Sequence, residues 1–332
     1  MILRVRRRGA AFGIVALLVA ACSPMASSPS SLGALSASDG APSPSPSAAA
    51  STAIAPSAQA SSSALVVGGD RPVAVHVPPS YDNLRPSPLL IVLHGYTGSG
   101  SDQEAYFGLQ REAEQRGFVT AYPDGTMDSR GDRFWNATDA CCNFDGRAID
   151  DVAYLDGLIT AIEATVAIDP HRVYVAGHSN GGFMSYRLAC THADRIAAIV
   201  SLAGATFAKS ADCRPAEPVA VLQIHGTADD TIAFAGGSIE GKPYPGAEET
   251  GATWARYDGC ATAASSVDQR VDVDADLNDA GQPAEAAVKR WSGCKPGGAV
   301  ELWTIPGGGH VPKISDAFGP AVLGFLEAHP KP

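Results

Sequence analysis

The chain has 332 residues, of which 45 % are hydrophobic and 18 % charged, and its formal net charge is −11. Once its first sixty-odd residues are set aside, that length suits one large α/β domain with a sizeable core. The acidic balance and the lack of a Lys/Arg cluster beyond residue 8 exclude the basic surface that nucleic acid requires.

Residues 1–21 read as an export signal. Arg4, Arg6, Arg7 and Arg8 precede the apolar run AAFGIVALLVAA, which is too short to span a bilayer and ends in small residues. The stretch LVAAC resembles a bacterial lipobox, so a cut before Cys22 would make that cysteine the acylated first residue of a lipoprotein. An ordinary signal peptide with a nearby cut is the alternative. Either way the protein is expected to be exported, held at a bacterial cell envelope by lipid alone or secreted. Residues 22–63 are almost entirely Ser, Ala and Pro. Such a segment buries too little apolar surface to offset chain entropy, and a disordered tether without chemistry is expected.

Residues 64–332 then form the catalytic domain. Apolar runs alternate there with helical segments: PLLIVLHG from Pro88, GFVTAYPDG, RVYVAG, AAIVSLAG, PVAVLQIHG and AVELWTIPGGG. This alternation predicts a mostly parallel sheet with helices on both faces and functional loops at the strands' carboxyl ends. The third run breaks at Gly177-His178-Ser179-Asn180-Gly181 and continues into GFMSYRLAC, where Phe183, Met184, Tyr186 and Leu188 mark a helix face. A strand-to-helix turn this sharp places Ser179 on strained backbone with its side chain at the sheet edge. Gly177, Gly181 and Gly182 leave out Cβ atoms that would collide with the neighbouring elements. The pattern is that of a nucleophile elbow.

An elbow serine needs a base, because a neutral hydroxyl is a weak nucleophile. His76 lies in an early strand, His171 precedes the elbow strand and His178 is in the elbow itself. His94 and His225 sit in HG turns, and His192 and His329 at helix ends. His310, in IPGGGHVP directly after the last strand, is the candidate base, since three glycines let its loop bend back over the sheet. The imidazole in turn requires a carboxylate. LQIHGTADDTIAF supplies Asp229 and Asp230 just after a strand, and Asp229 is assigned, in the chain order Ser, Asp, His. Its rivals Asp150 and Asp151, in AIDDVAYLDGLI, read as an N-cap and a first-turn acid. The backbone N–H groups of Asn180 and of Tyr96, in HGYTGSGSD, are the candidate oxyanion donors. The Tyr96 ring is a candidate cover for the substrate's acyl group, or simply a partly exposed loop aromatic.

No cysteine sits in a CxxC pair of the zinc or thioredoxin type, and six remain beyond Cys22, so structural disulfides are expected. Cys190 ends the helix after the elbow and Cys213 precedes the next strand but one, which suits a bridge. Cys260 and Cys294 flank what reads as an irregular acidic insertion, whose closure would contribute about 3–4 kcal/mol. Cys141 and Cys142 are left to pair with each other. Within the insertion, DVDADLND from Asp272 to Asp279 lacks the glycine and glutamate of a calcium loop, so a solvated loop is expected, with no metal or organic cofactor.

Taken in order, LHGYTGSG, YPDGT, FWNATDACC, IDDVAYL, GHSNGGFMSYRLAC, LAGA, IHGTADDTI, YPGAEET and GGGH resemble the polyhydroxybutyrate depolymerase and feruloyl esterase family of α/β-hydrolases, from about Leu65 to the C-terminus. The resemblance implies an α/β-hydrolase fold and a serine carboxylic-ester hydrolase, with Ser179 as nucleophile, Asp229 as acid, His310 as base and main-chain donors at Tyr96 and Asn180. Many members read GGGH-x-W-P after the last strand, whereas this chain has GGGHVPKIS. The absence of that tryptophan leaves polyester, feruloyl and acetyl substrates open. Trp135, in RFWNAT, is a candidate aromatic wall in its place, with a core tryptophan as the alternative. The sequon Asn136-Ala137-Thr138 is incidental in a bacterial-type lipoprotein. An acyltransferase using the same triad, and a non-catalytic surface-binding protein on the same fold, are the competing functions.

Overall fold

The computed structural model describes residues 65–277 and 284–332. The expected export signal, Cys22, the tether and the end of the acidic run lie outside the described residues. In chain order the elements are β1 (Leu65–Val67), β2 (Val73–His76), β3 (Ser87–Leu93), α1 (Gly100–Phe107), α2 (Gln110–Gln115) and β4 (Val119–Ala121). A short ribbon of β5 (Thr126–Met127) and β6 (Arg133–Phe134) follows, then α3 (Asp151–Glu163), β7 (Ile168–His178), α4 (Asn180–Thr191), β8 (Ala198–Leu202) and β9 (Ala220–Gly226). The hairpin β10 (Gly236–Ile239) and β11 (Lys242–Pro245) leads to α5 (Ala247–Tyr257), β12 (Ser265–Val271), β13 (Ala286–Trp291), β14 (Val300–Ile305) and α6 (Phe318–Ala328).

The main sheet runs β1-β2-β4-β3-β7-β8-β9-β14-β13-β12. Its six central strands, from β4 to β14, are parallel, and the two strands at either edge pair antiparallel. These six are the six apolar runs of the sequence. Each central strand is buried on both faces, and alternate side chains serve different cores. Leu89, Ile91 and Leu93 of β3 join the core that also holds side chains of α3, α4 and α5. Leu90 and Val92 join the core holding side chains of α1, α2 and α6. Each such side chain, fully buried, contributes roughly 1.5–3 kcal/mol over an exposed one.

Helix starts follow local chemistry. Ser99 and Asp102 close a capping box on α1, and the Asp150 carboxylate accepts from the Ala153 N–H at the start of α3 (2.9 Å). Asp151 in the first turn is buried, paired with Arg71 (2.7 Å) and accepting from the Asn136 N–H (2.7 Å).

The sequence reading needs correction in three places. The region between Cys260 and Cys294 is not an irregular insertion but carries β12 and β13, which extend the sheet. Edge strand β12 is mostly solvent-exposed, so its sequence lacks the apolar run that identifies a central strand. The acidic run is solvated only in part: Asp274 is buried and accepts from the amides of Asp276 (3.1 Å) and Lys313 (3.2 Å). His171 lies inside β7 rather than before it.

Three disulfides link Cys141 to Cys142, Cys190 to Cys213 and Cys260 to Cys294. The second ties the last turn of α4 to the segment before β9, and the third ties the end of α5 to the β13–β14 connection.

Candidate active site

Strand β7 ends at His178 and α4 begins at Asn180, so Ser179 alone makes the turn. Its backbone sits at φ 53° and ψ −118°, a region that costs a non-glycine residue on the order of 1–3 kcal/mol. Neighbouring main chain holds it there. The Ser179 N–H donates to the Leu202 carbonyl (2.8 Å) and the Phe183 N–H donates to the Ser179 carbonyl (3.0 Å). A Cβ on Gly177 would lie 2.3 Å from the Gly181 carbonyl carbon, and one on Gly181 would lie 2.2 Å from the Leu93 oxygen. Strands β3 and β7 and helix α4 therefore meet backbone to backbone, as only glycine permits.

The loop after β14 brings His310 over this turn. The Ser179 hydroxyl lies 2.9 Å from His310 Nε2, and His310 Nδ1 lies 2.8 Å from Asp229 Oδ2. The Nδ1–H donates to the carboxylate, which leaves Nε2 as the acceptor for the hydroxyl proton. Asp229 is itself fixed, since its Oδ1 accepts from the amides of Thr231 (2.9 Å) and Ile232 (2.8 Å). Burial pushes its carboxyl pKa up, but hydrogen bonds from His225 and His310, the His310 charge and the Ile232 amide outweigh it and hold the group below its ordinary 3.8. Asp229 is an anion at neutral pH. Asp230 is exposed, and its carboxylate accepts from the Thr231 hydroxyl (3.3 Å).

The structure also brings the two proposed oxyanion donors to Ser179. As first residue of α4, Asn180 has no intrahelical acceptor for its N–H. The Tyr96 N–H has no protein acceptor among the described residues. Gly95, just before it, is so close that a Cβ there would sit 3.4 Å from the Ser179 Cβ. The Tyr96 ring is half-buried, edge-on to Phe144 with centroids 5.2 Å apart, and its hydroxyl donates to Asp128 (2.6 Å). Trp135 does not line a cleft. Its ring is fully buried between His94 and Tyr154, and its indole N–H is satisfied there by the His94 carbonyl (3.1 Å). Val311 follows His310 and is exposed.

Two histidines set aside in the sequence contribute here. His225 Nδ1 accepts from the Gln223 amide (3.0 Å), so its Nε2–H faces the Ile232 carbonyl (2.7 Å) and Asp229 Oδ2 (3.3 Å). His178 Nε2–H donates to the His310 carbonyl (2.9 Å) and its ring packs on that of His310. The only signal for either in the sequence is a histidine beside a strand-end glycine. Among the described residues no group of three or more His, Cys, Asp or Glu is arranged to hold a metal ion.

Burial, with the His310 charge, pushes the His178 pKa down from 6.5 to about 4. The unfolded chain therefore takes up this proton first as pH falls. Stability is whole above about pH 6.5 and declines towards pH 4, by on the order of 3 kcal/mol. Urea unfolding at pH 7 and pH 4.5 is expected to reveal this loss in the wild type and a smaller one in His178→Gln. Equal losses would exclude His178 as the source. Asp229 contributes in a separate window, below its ordinary 3.8.

Known proteins resemble this chain in sequence and in fold. Feruloyl esterase B of Piromyces equi is 31 % identical over 252 residues, 72 % of this chain and 42 % of that protein. Putative esterase NocK of Nocardia uniformis subsp. tsuyamanensis is 29 % identical over 290 residues, 82 % of this chain and 80 % of that one. The chain thus spans less than half of the first relative and most of the second. Among solved structures, the acetyl xylan esterase from Aspergillus awamori superposes with a TM-score of 0.54 at 16 % identity, over 80 % of this chain and 99 % of that one, a likeness of fold. The family described as "Putative esterase" matches residues 62–286, and with its parallel sheet and helix-flanked elbow the chain belongs to that family, among the esterases of α/β-hydrolase type.

Proposed function

We propose that the protein is an exported serine carboxylic-ester hydrolase working through an acyl-enzyme, with Ser179 as nucleophile, His310 as general base and Asp229 as its carboxylate partner. The observation that carries this reading is the unbroken hydrogen-bond relay from the Ser179 hydroxyl through His310 to Asp229, at 2.9 and 2.8 Å. As Oγ attacks the ester carbonyl, its proton passes to His310 Nε2, and the Asp229 carboxylate stabilises the imidazolium through Nδ1–H. The N–H groups of Tyr96 and Asn180 receive the oxyanion. Collapse returns the Nε2 proton to the leaving alkoxide, releasing the alcohol and leaving acyl-Ser179. Water, deprotonated by His310, then releases the carboxylic acid and restores the hydroxyl.

A feruloyl-type ester is the favoured substrate over a polyhydroxybutyrate-type polyester. Support comes from the names of the relatives and from the half-buried Tyr96 and Phe144 rings beside the donor loop, which offer an aromatic acyl group a stacking surface. The lipobox-like LVAAC and the disulfides support export with an anchor at Cys22.

The test is a hydrolysis panel of p-nitrophenyl acetate to octanoate, methyl ferulate and amorphous polyhydroxybutyrate with purified protein. The highest kcat/KM is expected on methyl ferulate. Faster release from the polymer would move the substrate to polyesters, and inertness towards every ester would remove the reading. Fractionating the same expression culture tests the anchor, which a fully soluble protein would reject.

A further inference from the structure

An oxyanion hole works only if its two donors keep a fixed separation at the moment charge develops. Here they sit on different elements, the Tyr96 N–H on the loop after β3 and the Asn180 N–H at the head of α4. The segment around Trp135, which the mechanism above does not use, touches both. The Trp135 N–H donates to Asn180 Oδ1 (2.7 Å), and Asn180 Nδ2–H donates back to the Trp135 carbonyl (2.9 Å). From the other side of the same residue, the indole N–H donates to the carbonyl of His94, two residues before Tyr96 (3.1 Å). The Thr97 N–H, one residue after Tyr96, donates to the Arg133 carbonyl (2.8 Å).

The far end of the segment closes on the same point. Asn180 Nδ2 lies 3.5 Å from Cys141 Sγ, and the Cys142 N–H approaches the Trp135 carbonyl at 3.4 Å. Trp135 and Asn180 are fully buried, and His94 nearly so. Packed interiors transmit small displacements, and a donor moved by a fraction of an ångström loses much of its effect on a developing charge. Resting on the function proposed above, we infer that Trp135 and the Asn180 side chain are positioning residues that couple the two halves of the oxyanion hole. The residue that the sequence suggested as a substrate wall acts instead from behind the site.

Trp135→Phe removes the indole donor and keeps an aromatic ring, while Asn180→Ala keeps the backbone donor and removes only the side chain. Each is compared with wild type on p-nitrophenyl acetate and p-nitrophenyl thionoacetate, with sites counted by the acyl-enzyme burst. A sulfur in place of the carbonyl oxygen accepts hydrogen bonds poorly, so the oxo-to-thiono ratio reports the hole itself. Per titrated site, kcat on the oxo ester is expected to fall about 10- to 100-fold, less than the 10²–10³ of deleting a donor, with KM little changed and the oxo preference narrowed. Should Trp135→Phe fail to fold, Asn180→Ala carries the test. An unchanged ratio per site, or kcat within about threefold of wild type, would overturn the inference. Full activity in a folded Ser179→Ala control would instead remove the underlying reading, and this inference with it.

Discussion

Ser179→Ala is expected to lower kcat on any ester the wild type hydrolyses by about 10⁶-fold, the scale on which a nucleophile is lost from a Ser-His-Asp relay. Folding should be untouched. Alanine and serine share the same backbone tolerance at φ 53°, and the Ser179 main-chain bonds to Leu202 and Phe183 do not involve the hydroxyl. What disappears is the nucleophilic oxygen that His310 Nε2 faces at 2.9 Å. The residual rate would come from the oxyanion donors and substrate binding alone. The measurement is kcat with a normal circular dichroism spectrum and melting temperature. Retention of most activity by a folded variant would displace Ser179 from the chemistry.

Asp229→Asn should cost about 10⁴ in kcat with KM little changed. The physical reason lies in the partners already fixed around the carboxylate. The Thr231 and Ile232 amides both donate to Oδ1, so an asparagine keeps its carbonyl oxygen there and turns its NH₂ towards His310 and His225. His310 Nδ1 must then accept, its proton moves to Nε2, and the imidazole faces Ser179 as a donor that cannot serve as base. Asp230→Asn leaves this arrangement intact. Asp151→Asn weakens the buried pair with Arg71 and should lower the melting temperature rather than turnover. Steady-state kinetics of the three variants on one soluble ester at pH 8 decide the matter. A large fall for Asp230→Asn or Asp151→Asn with a mild Asp229→Asn would transfer the acid role.

The parts of the molecule governed by short-range rules were readable from the chain. Strands β3, β4, β7, β8, β9 and β14 are buried on both faces, and only continuous apolar runs satisfy that environment. The elbow was readable because Gly177 and Gly181 must stand where β3, β7 and α4 touch, and Gly182 where α4 meets Ser201 of β8 and Gly204. Strand β12 was not, since an exposed edge places almost no demand on composition, and neither was β13, whose buried Ala286, Val288 and Trp291 are interrupted by half-exposed Lys289 and Arg290 and form no continuous apolar run. The surroundings of Trp135 were hidden for another reason. Its partners His94 and Asn180 lie 41 and 45 residues away, and nothing in RFWNAT announces a bond to either. Similarly, the role of His178 depends on the His310 carbonyl, 132 residues away, and that of His225 on how the loop directly after its strand folds back to present Asp229 and Ile232.

The disulfides at Cys190–Cys213 and Cys260–Cys294 lie where strands β9 and β14 begin, whereas Ser179, Asp229 and His310 all follow strand ends. The third bridge, Cys141–Cys142, lies beside Asn180, whereas these two stand at the rim opposite the candidate catalytic residues. Each of these two adds about 3–4 kcal/mol by restricting the unfolded chain, a contribution that does not depend on what happens at the other rim. Exposed positions such as Ser238 and Lys242 of the β10–β11 hairpin can therefore change at little expense to the framework, whereas the segment after His310 is tied to Asp274 and Val273 by the Lys313 and Ser315 amides. The covalent ties that hold these strands thus stand apart from the sheet edge that carries the candidate site.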